Sequence, residues 1–205
     1  MTHMPIETRR GFLGLMATGA LAVGLPAMPA WAALSAASAT AAIQRAVDEV
    51  FAIINAGTPP AEMYRRFEGV FTRHADVDAI ARSALGPAAR GLDPATFGRF
   101  KQAMTGYIAR KYGKRFREFI GSKIEVGGAK PVKSFWSVSS TAYLNGRSPM
   151  QVDWHISDKT GQPRFFNLII EGVNMLASER EEIGAMLARR KGDLNGLIAD
   201  LQQAG

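Results

Sequence analysis

The sequence predicts an α+β fold, in which an antiparallel four-stranded meander sheet is wrapped by N-terminal and C-terminal helices and encloses an internal apolar pocket. Two observations predict the order of helices and strands, and the pocket is inferred from the apolar strand described below. Apolar residues recur at helical spacing up to about residue 120, alternate along short segments as far as residue 170, and return to helical spacing after Gly172. Turn residues separate the short segments, which is typical of consecutive antiparallel strands.

The N-terminal half is predicted to form helices with clear breaks between them. Apolar residues at helical spacing indicate a first helix over residues 43–54 and a second over residues 63–71. Asp76 has the position of an N-cap before a short third helix. Asp93-Pro94 begins a long helix that runs to about residue 120. The apolar side of this helix is broad and rich in aromatic residues: Phe97, Phe100, Met104, Tyr107, Ile108, Tyr112, Phe116 and Phe119.

The first two predicted strands cover residues 124–126 and 132–144, with a turn at Gly127-Gly128 between them. Asn145-Gly146 is a strong hairpin signal before the third strand. After the sheet, Ser178 and Glu181 fit a capping box at the start of a helix. A final helix follows, with Asp193 as its expected N-cap.

The third and fourth strands differ in the cover that they need. Residues 150–157 alternate strictly between apolar and polar, the pattern of a strand with one buried face. Residues 165–170 are apolar on both faces, so this strand needs cover on two sides. In a small protein one side can face the core and the other a cavity. This pattern is the first indication of an apolar ligand.

Residues 1–32 are predicted to be an export signal. Arg9-Arg10 precedes a short, glycine-diluted apolar run, and Ala30-Trp31-Ala32 is a small-x-small cleavage site. The paired arginines favour the twin-arginine route, and the apolar run is too short for a membrane anchor. We therefore expect a periplasmic protein, cleaved after Ala32, in which residues 33–205 form a single domain.

Charge and composition exclude several classes of function. The formal net charge is +7, but an exported basic protein rarely meets nucleic acid, so an anionic membrane surface is the more suitable partner. The chain has 0 Cys, which excludes disulfides, thiolate nucleophiles and cysteine-ligated metals. Histidines and carboxylates do not cluster at ligand spacing, so we expect no metal and no other cofactor.

Short segments that are spread along the chain occur in a distinctive order. They are Leu85-Gly86, Tyr112-Gly113, Gly146-Arg147, Val152-Asp153-Trp154, Thr160-Gly161, Ile170-Glu171-Gly172-Val173, Met175, Arg180 and Gly192-Asp193-Leu194-Asn195-Gly196-Leu197-Ile198. In order and spacing, these segments resemble the MlaC or toluene-tolerance family, the periplasmic lipid-binding component of the Mla pathway. The resemblance covers nearly the whole mature chain.

The resemblance implies a lipid carrier with no catalytic residues. Such a protein holds phospholipid acyl chains in an internal pocket. It shuttles lipid between an outer-membrane lipoprotein complex and an inner-membrane ABC transporter complex, and so maintains the lipid asymmetry of the outer membrane. Residues 33–205 would then be one lipid-binding domain, which we expect to be a monomer.

The predicted pocket combines apolar strand faces with the apolar sides of helices. Its residues are Phe67, Phe71, Phe100, Met104, Tyr107, Trp136, Val138, Val152, Trp154, Phe166, Leu168, Ile170, Val173 and Met175. For any single one of these residues, a place in a solid core is the favoured interpretation. Only the whole set indicates a cavity. Arg110, Lys114 and Arg117 share one helical face. With Arg147 they are expected at the pocket rim or a docking surface, unless they form only the solvated face of an amphipathic helix.

Three alternatives remain open from the sequence. Pro163, Asn167 and Asn174 depart from the usual family residues beside the predicted pocket, so a hopanoid or another lipid is an alternative ligand. Asp153 and His155 share a strand face, which would suit an oriented general base in a cone-shaped isomerase or dehydratase. The simpler interpretation places both in solvent. A non-catalytic envelope adaptor with a solid core is the third alternative.

Overall fold

The computed structural model describes residues 34–205, except for the side chains of residues 116 and 117. The predicted export signal therefore lies outside the described residues. The helices are α1 (Ala36–Asn55), α2 (Pro60–His74), α3 (Val77–Leu85), α4 (Pro94–Gly113), α5 (Met175–Arg189) and α6 (Leu194–Gln203). The strands are β1 (Lys123–Val132), β2 (Phe135–Tyr143), β3 (Met150–Ser157), β4 (Arg164–Ile170) and β5 (Val173–Asn174). Short 3₁₀ helices lie at Gly86–Ala89 and Phe116–Phe119. None of the helices described here is long and apolar enough to cross a membrane.

The sheet is an antiparallel meander in the order β1-β2-β3-β4-β5. The predicted α+β meander is confirmed, with one more strand than expected. Glu171 and Gly172 have φ values of 49° and 79°, and they turn the chain back so that Val173 pairs with Ile170. A strand of two residues is too short to show alternation, so the sequence pattern cannot reveal β5.

The predicted turn at Gly127-Gly128 is wrong. β1 continues through both glycines, and its pairing with β2 shifts between Val126 and Ala129. A Cβ at Gly127 would lie 2.9 Å from Ser139 Oγ, so the glycine allows a close approach at a bulge. The turn itself lies at Lys133, whose φ is 51°.

Side-chain caps determine where several helices begin. Asp76, Asp93 and Asp193 each accept a hydrogen bond from a backbone N–H of the following turn, at 2.9–3.0 Å. These predicted N-caps are confirmed. Each satisfies a donor that has no partner within the helix.

The expected capping box of Ser178 and Glu181 is wrong, because α5 begins earlier in the chain. Asn174 is the N-cap, and its Oδ1 accepts the Ala177 N–H at 3.0 Å. Ser178 instead donates its hydroxyl to the Asn174 carbonyl at 3.2 Å. The chain therefore passes from β5 directly into α5.

The main core lies where the helices pack on the sheet and on α4. Its largest fully buried side chains are Phe100, Ile43, Met104, Ile156, Ile183, Leu197, Leu201 and Val138. α2 packs closely on α4 at Gly113, where a Cβ would lie 2.5 Å from the Tyr64 ring. A second, smaller cluster joins α1 and α2 through Ile53, Ile54, Met63 and Val70. The two clusters give the helical layer two separate zones of packing.

Candidate functional site

A cavity of about 240 Å³ lies between the sheet and the helices. Most of its helical side comes from α1, α2, α4 and α5, and most of its sheet side from β3 and β4. Apart from Asn167 and Glu179, the lining side chains are aliphatic or aromatic. They are Ala46, Val50, Phe51, Ile54, Phe67, Val70, Phe71, Ile80, Ile108, Tyr112, Phe119, Ile124, Ala142, Met150, Val152, Trp154, Phe165, Phe166, Leu168, Ile170, Met175 and Leu176.

Hydrogen bonds satisfy the polar atoms of the sheet wall. Trp154 Nε1 donates to Ser140 Oγ at 2.9 Å, and Ser140 Oγ donates to the Val152 carbonyl at 3.0 Å. The indole N–H is thus paired within the protein, and the ring contributes hydrocarbon to the lining. The Trp154 ring meets the Phe165 ring edge-on with 5.4 Å between centroids, and the Phe165 and Phe71 ring centroids lie 6.0 Å apart. This series of rings connects the sheet to α2.

The structure brings some of the predicted pocket residues together at this cavity: Phe67, Phe71, Val152, Trp154, Phe166, Leu168, Ile170 and Met175. It places the others elsewhere. Four are buried in the main core: Phe100, Met104, Tyr107 and Val138. The Trp136 indole N–H donates to the Leu34 carbonyl at 2.8 Å, and Val173 is 54% exposed. Contact of any of these residues with lipid stays a prediction.

Sequence reasoning missed the contributions of α1 and of the C-terminal part of α4 to the cavity. The residues concerned are Ala46, Val50, Phe51, Ile54, Ile108 and Tyr112. Their helical spacing marks most of them as buried. Spacing does not show whether a buried face meets solid core or an open cavity.

Asp153 and His155, the candidate acid-base pair, do not line the cavity. The His155 ring packs against Phe135 with 4.6 Å between centroids, and against Phe166 with 5.9 Å. Burial lowers the pKa of His155 below its usual value of 6.5, and the charge of Asp153 opposes this effect. His155 therefore belongs to an aromatic cluster, on the face of β3 opposite Trp154. In the part of the chain that the structure describes, no group of His, Asp and Glu is arranged to hold a metal ion.

A network of charged and phenolic groups adjoins the cavity at Glu179, whose side chain is 5% exposed. Lys111 Nζ donates to Glu179 Oε1 at 2.7 Å and to Glu182 Oε2 at 2.6 Å. The Tyr112 hydroxyl donates to Glu179 Oε1 at 2.6 Å, and the Tyr107 hydroxyl donates to Glu182 Oε1 at 2.5 Å. One ammonium group is therefore shared between two carboxylates.

The surroundings of the Lys111 ammonium and of the two phenols keep these three groups protonated near neutral pH. Burial raises the pKa values of Tyr107 and Tyr112, and their hydrogen bonds to Glu182 and Glu179 raise them further. Burial by itself lowers the pKa of Lys111, but the hydrogen bonds to both carboxylates outweigh it and raise the pKa overall. The ammonium and both phenols consequently keep their protons at neutral pH.

Residues 44–203 match the family described as MlaC protein. This chain belongs to the MlaC family. The match confirms the resemblance that the ordered sequence segments indicate. A solved structure similar to this chain is that of the phospholipid-binding protein from Ralstonia solanacearum, in complex with a phospholipid. It is 17% identical, the match covers 81% of this chain and 96% of that chain, and the TM-score is 0.70. At this identity the match shows that the two proteins share a fold.

Arg110, one of the basic residues predicted at the pocket rim of this MlaC-family protein, forms hydrogen bonds to the C-terminal end of α6. Its Nε donates to the Ala204 carbonyl at 2.8 Å, and its Nη2 donates to the Leu201 carbonyl at 2.5 Å. These carbonyls lie at the C-terminal end of α6, where backbone acceptors lack partners within the helix. Arg110 is therefore engaged in capping α6.

The other predicted rim residues lie nearer to solvent. Arg147, in the loop between β2 and β3, pairs with Glu118 at 2.9 Å, and both side chains are largely exposed. Lys114 is exposed. The side chain of Arg117 lies outside the described residues.

One end of the sheet brings the cavity lining close to exposed apolar side chains. Adjacent strands of the meander run in opposite directions, so the start of β1 and the turn after β4 lie at the same end. Ile120 and Val173 lie there and are 55% and 54% exposed. Ile120 follows the lining residue Phe119, and Val173 pairs with the lining residue Ile170.

Proposed function

We propose that this protein is a carrier that binds phospholipid by its acyl chains and catalyses no reaction. The observation that carries the proposal is an apolar cavity between the sheet and the helices of an MlaC-family chain. The structurally similar protein from R. solanacearum is described as phospholipid-binding and in complex with a phospholipid, which supports the same class of ligand.

The cavity must enlarge to take a whole lipid. Pockets for ordinary organic ligands have roughly 300–1,000 Å³, whereas this cavity has about 240 Å³. Two acyl chains therefore require the helices to move apart. We propose that α2 moves, because part of its apolar face packs with α1 in the smaller cluster rather than in the main core; its close contact with α4 at Gly113 then has to change as well.

The energy of burial determines how such a carrier exchanges its lipid. Two acyl chains contain about thirty methylenes, whose burial is worth roughly 20–25 kcal/mol in total at about 0.8 kcal/mol each. Spontaneous release into water is correspondingly slow, so transfer has to occur in contact with a partner. We propose that the partners are an outer-membrane lipoprotein complex and an inner-membrane ABC transporter complex. Docking at the end of the sheet that carries Ile120 and Val173 would let the lipid pass without crossing water.

We also propose that the mature protein is a periplasmic monomer that begins after Ala32. The paired arginines and the small-x-small site in the sequence support this location. Export also fits a ligand that has to travel between two membranes.

Native mass spectrometry of the protein, expressed from its full sequence and purified from the periplasm, tests this proposal. We expect one chain that starts at residue 33 with phospholipid bound. A co-purified polycyclic lipid would instead indicate the hopanoid alternative, and a chain that never carries lipid would contradict a carrier. His155→Ala tests the enzyme alternative, and we expect lipid binding and lipid transfer to stay unchanged in this variant.

A further inference from the structure

The cavity extends along the strands of the sheet. Met150, Val152 and Trp154 of β3 all line it, because alternate residues of a strand share one face. Phe165 of β4 lines it at the level of Ile156, with which it pairs. Met150 and Ile156 are six residues apart in the strand, which corresponds to about 20 Å at about 3.4 Å per residue. The lining therefore covers most of the length of β3.

One end of the cavity, the open end, lies where β1 and β3 begin. Ile124 and Met150 both pair with Ala142 at this end, and all three residues line the cavity. Ile124, Met150 and the lining residue Phe119 are only half-buried. Phe119 also precedes Ile120, which is largely exposed. The half-buried lining and its exposed apolar neighbour indicate that an acyl chain enters at this end.

The opposite end of the cavity, the closed end, is covered by the segment between α2 and α3. Phe165 lines this end and is 7% exposed, and Arg164, the next residue beyond it along β4, is not part of the lining. The Phe165 carbonyl accepts the Asp76 N–H at 2.7 Å, and Arg164 Nη1 donates to the Ala75 carbonyl at 3.3 Å. The edge-on contact with Trp154 holds the Phe165 ring. Phe165 is thus fixed where the cavity ends.

We infer that Phe165 is a specificity-determining residue, which forms the closed end of the cavity and limits the length of the acyl chain that fits. This inference rests on the proposed lipid-binding function and adds a limit on chain length to it. An extended chain advances about 1.3 Å per carbon, given a C–C bond of about 1.5 Å, so about 15 carbons reach from the open end to Phe165. Phe165 belongs to the sheet, so movement of α2 widens the cavity without lengthening it.

A series of phosphatidylcholines with two monounsaturated chains tests the inference. The dimyristoleoyl, dipalmitoleoyl, dioleoyl, dieicosenoyl and dierucoyl lipids lengthen by two carbons per chain at each step. Delipidated mature protein is incubated with vesicles that contain all five in equal amounts, and native mass spectrometry measures which lipid it carries. A vesicle buries every methylene, so each methylene that does not fit the cavity lowers the share of that lipid about fourfold. Beyond the dipalmitoleoyl lipid, we expect the share to fall at least about tenfold at each step.

Two variants assign the limit to the closed end. Phe165→Leu removes three carbon atoms there, so the ratio of bound dioleoyl to bound dipalmitoleoyl lipid should rise roughly tenfold over that of the unaltered protein. Phe119→Leu is the matched control, because the same chemical change at the open end leaves the closed end in place. The control should keep the ratio of the unaltered protein.

The outcomes separate this inference from the proposed function. If the protein carries phospholipid but its bound lipids follow the vesicle composition over the whole series, the inference is wrong and the carrier proposal stands. An equal shift of the ratio in both variants would also contradict the role of Phe165. If no phospholipid binds at all, both are wrong. The series measured on the unaltered protein decides the question even if Phe165→Leu fails to fold.

Discussion

The wall of the cavity predicts that one small side chain can be enlarged to exclude lipid without unfolding the protein. Ala46 of α1 lines the cavity and is 2% exposed. Ala46→Leu adds three carbon atoms, whose burial contributes about 2 kcal/mol at about 0.8 kcal/mol each. An imperfect fit costs about 1–3 kcal/mol. The two contributions nearly cancel, so the free energy of unfolding of the empty protein should change by less than about 2 kcal/mol.

Lipid affinity should change much more than stability in Ala46→Leu. The added carbons displace about three methylene-sized groups of a bound chain, which costs about 2.4 kcal/mol of binding free energy. This corresponds to a loss of roughly fiftyfold in affinity. Displacement titration with a fluorescent phospholipid measures the affinity, and urea denaturation of delipidated protein measures the stability.

Ala52→Leu is the matched control for this experiment. Ala52 lies on the same helix but is exposed, so the same chemical change there adds no atoms to the cavity. We expect affinity and stability close to those of the unaltered protein. If Ala46→Leu folds normally and binds phospholipid as tightly as Ala52→Leu, the acyl chains do not occupy this cavity and the reasoning is refuted.

Three further substitutions test the packing and electrostatics of the fold. Gly113→Ala should lower the free energy of unfolding by about 1–3 kcal/mol, because the added methyl group collides with α2. Gly98→Ala on the same helix meets open space and should raise the free energy of unfolding by about 0.5–1 kcal/mol. Equal effects of the two substitutions in urea denaturation would contradict the close contact. Arg110→Gln should cost about 1–3 kcal/mol through its bonds to α6, whereas exposed Lys114→Gln should have almost no effect on the same measurement. Burial lowers the pKa of His155, so the unfolded chain binds a proton more readily and the free energy of unfolding should fall as pH drops below about 6.5. His155→Phe should remove this part of the pH dependence, and an unchanged slope between about pH 5 and pH 7 would argue against it.

The sheet was largely predictable because alternation along a strand reports burial directly. β3 spans Met150–Ser157, the range that the alternating pattern predicts. In β4, Leu168 lines the cavity. The neighbouring polar residue, Asn167, has a structural role: its Oδ1 accepts the Leu176 N–H at 3.0 Å, at the start of α5. The residue that departs from the family pattern thus helps to position α5 beside the cavity.

The place of the cavity was not predictable from the sequence, since one helix can bury different faces against different partners. Phe100 and Met104 of α4 are in the main core, whereas Ile108 and Tyr112 of the same helix line the cavity. Helical spacing indicates that all of them are buried, but the partner that covers each one depends on contacts distant in the sequence. The network at Glu179 is hidden for the same reason, because its partners Lys111 and Tyr112 come from α4.

The division of the helical layer into two clusters leads to a final prediction about movement. α4, α6 and the sheet share the main core, so they should keep the fold intact while lipid enters. α2 is held by the smaller cluster with α1, by its close approach to α4 at Gly113, and by the ring contact between Phe71 and Phe165. Opening the cavity requires these contacts to change, so α2 should exchange its amide hydrogens faster than α4 in delipidated protein and slow down on loading with phospholipid. Hydrogen exchange measured by mass spectrometry on both forms tests this. If α2 and α4 are equally protected in both forms, the cavity does not expand by movement of α2.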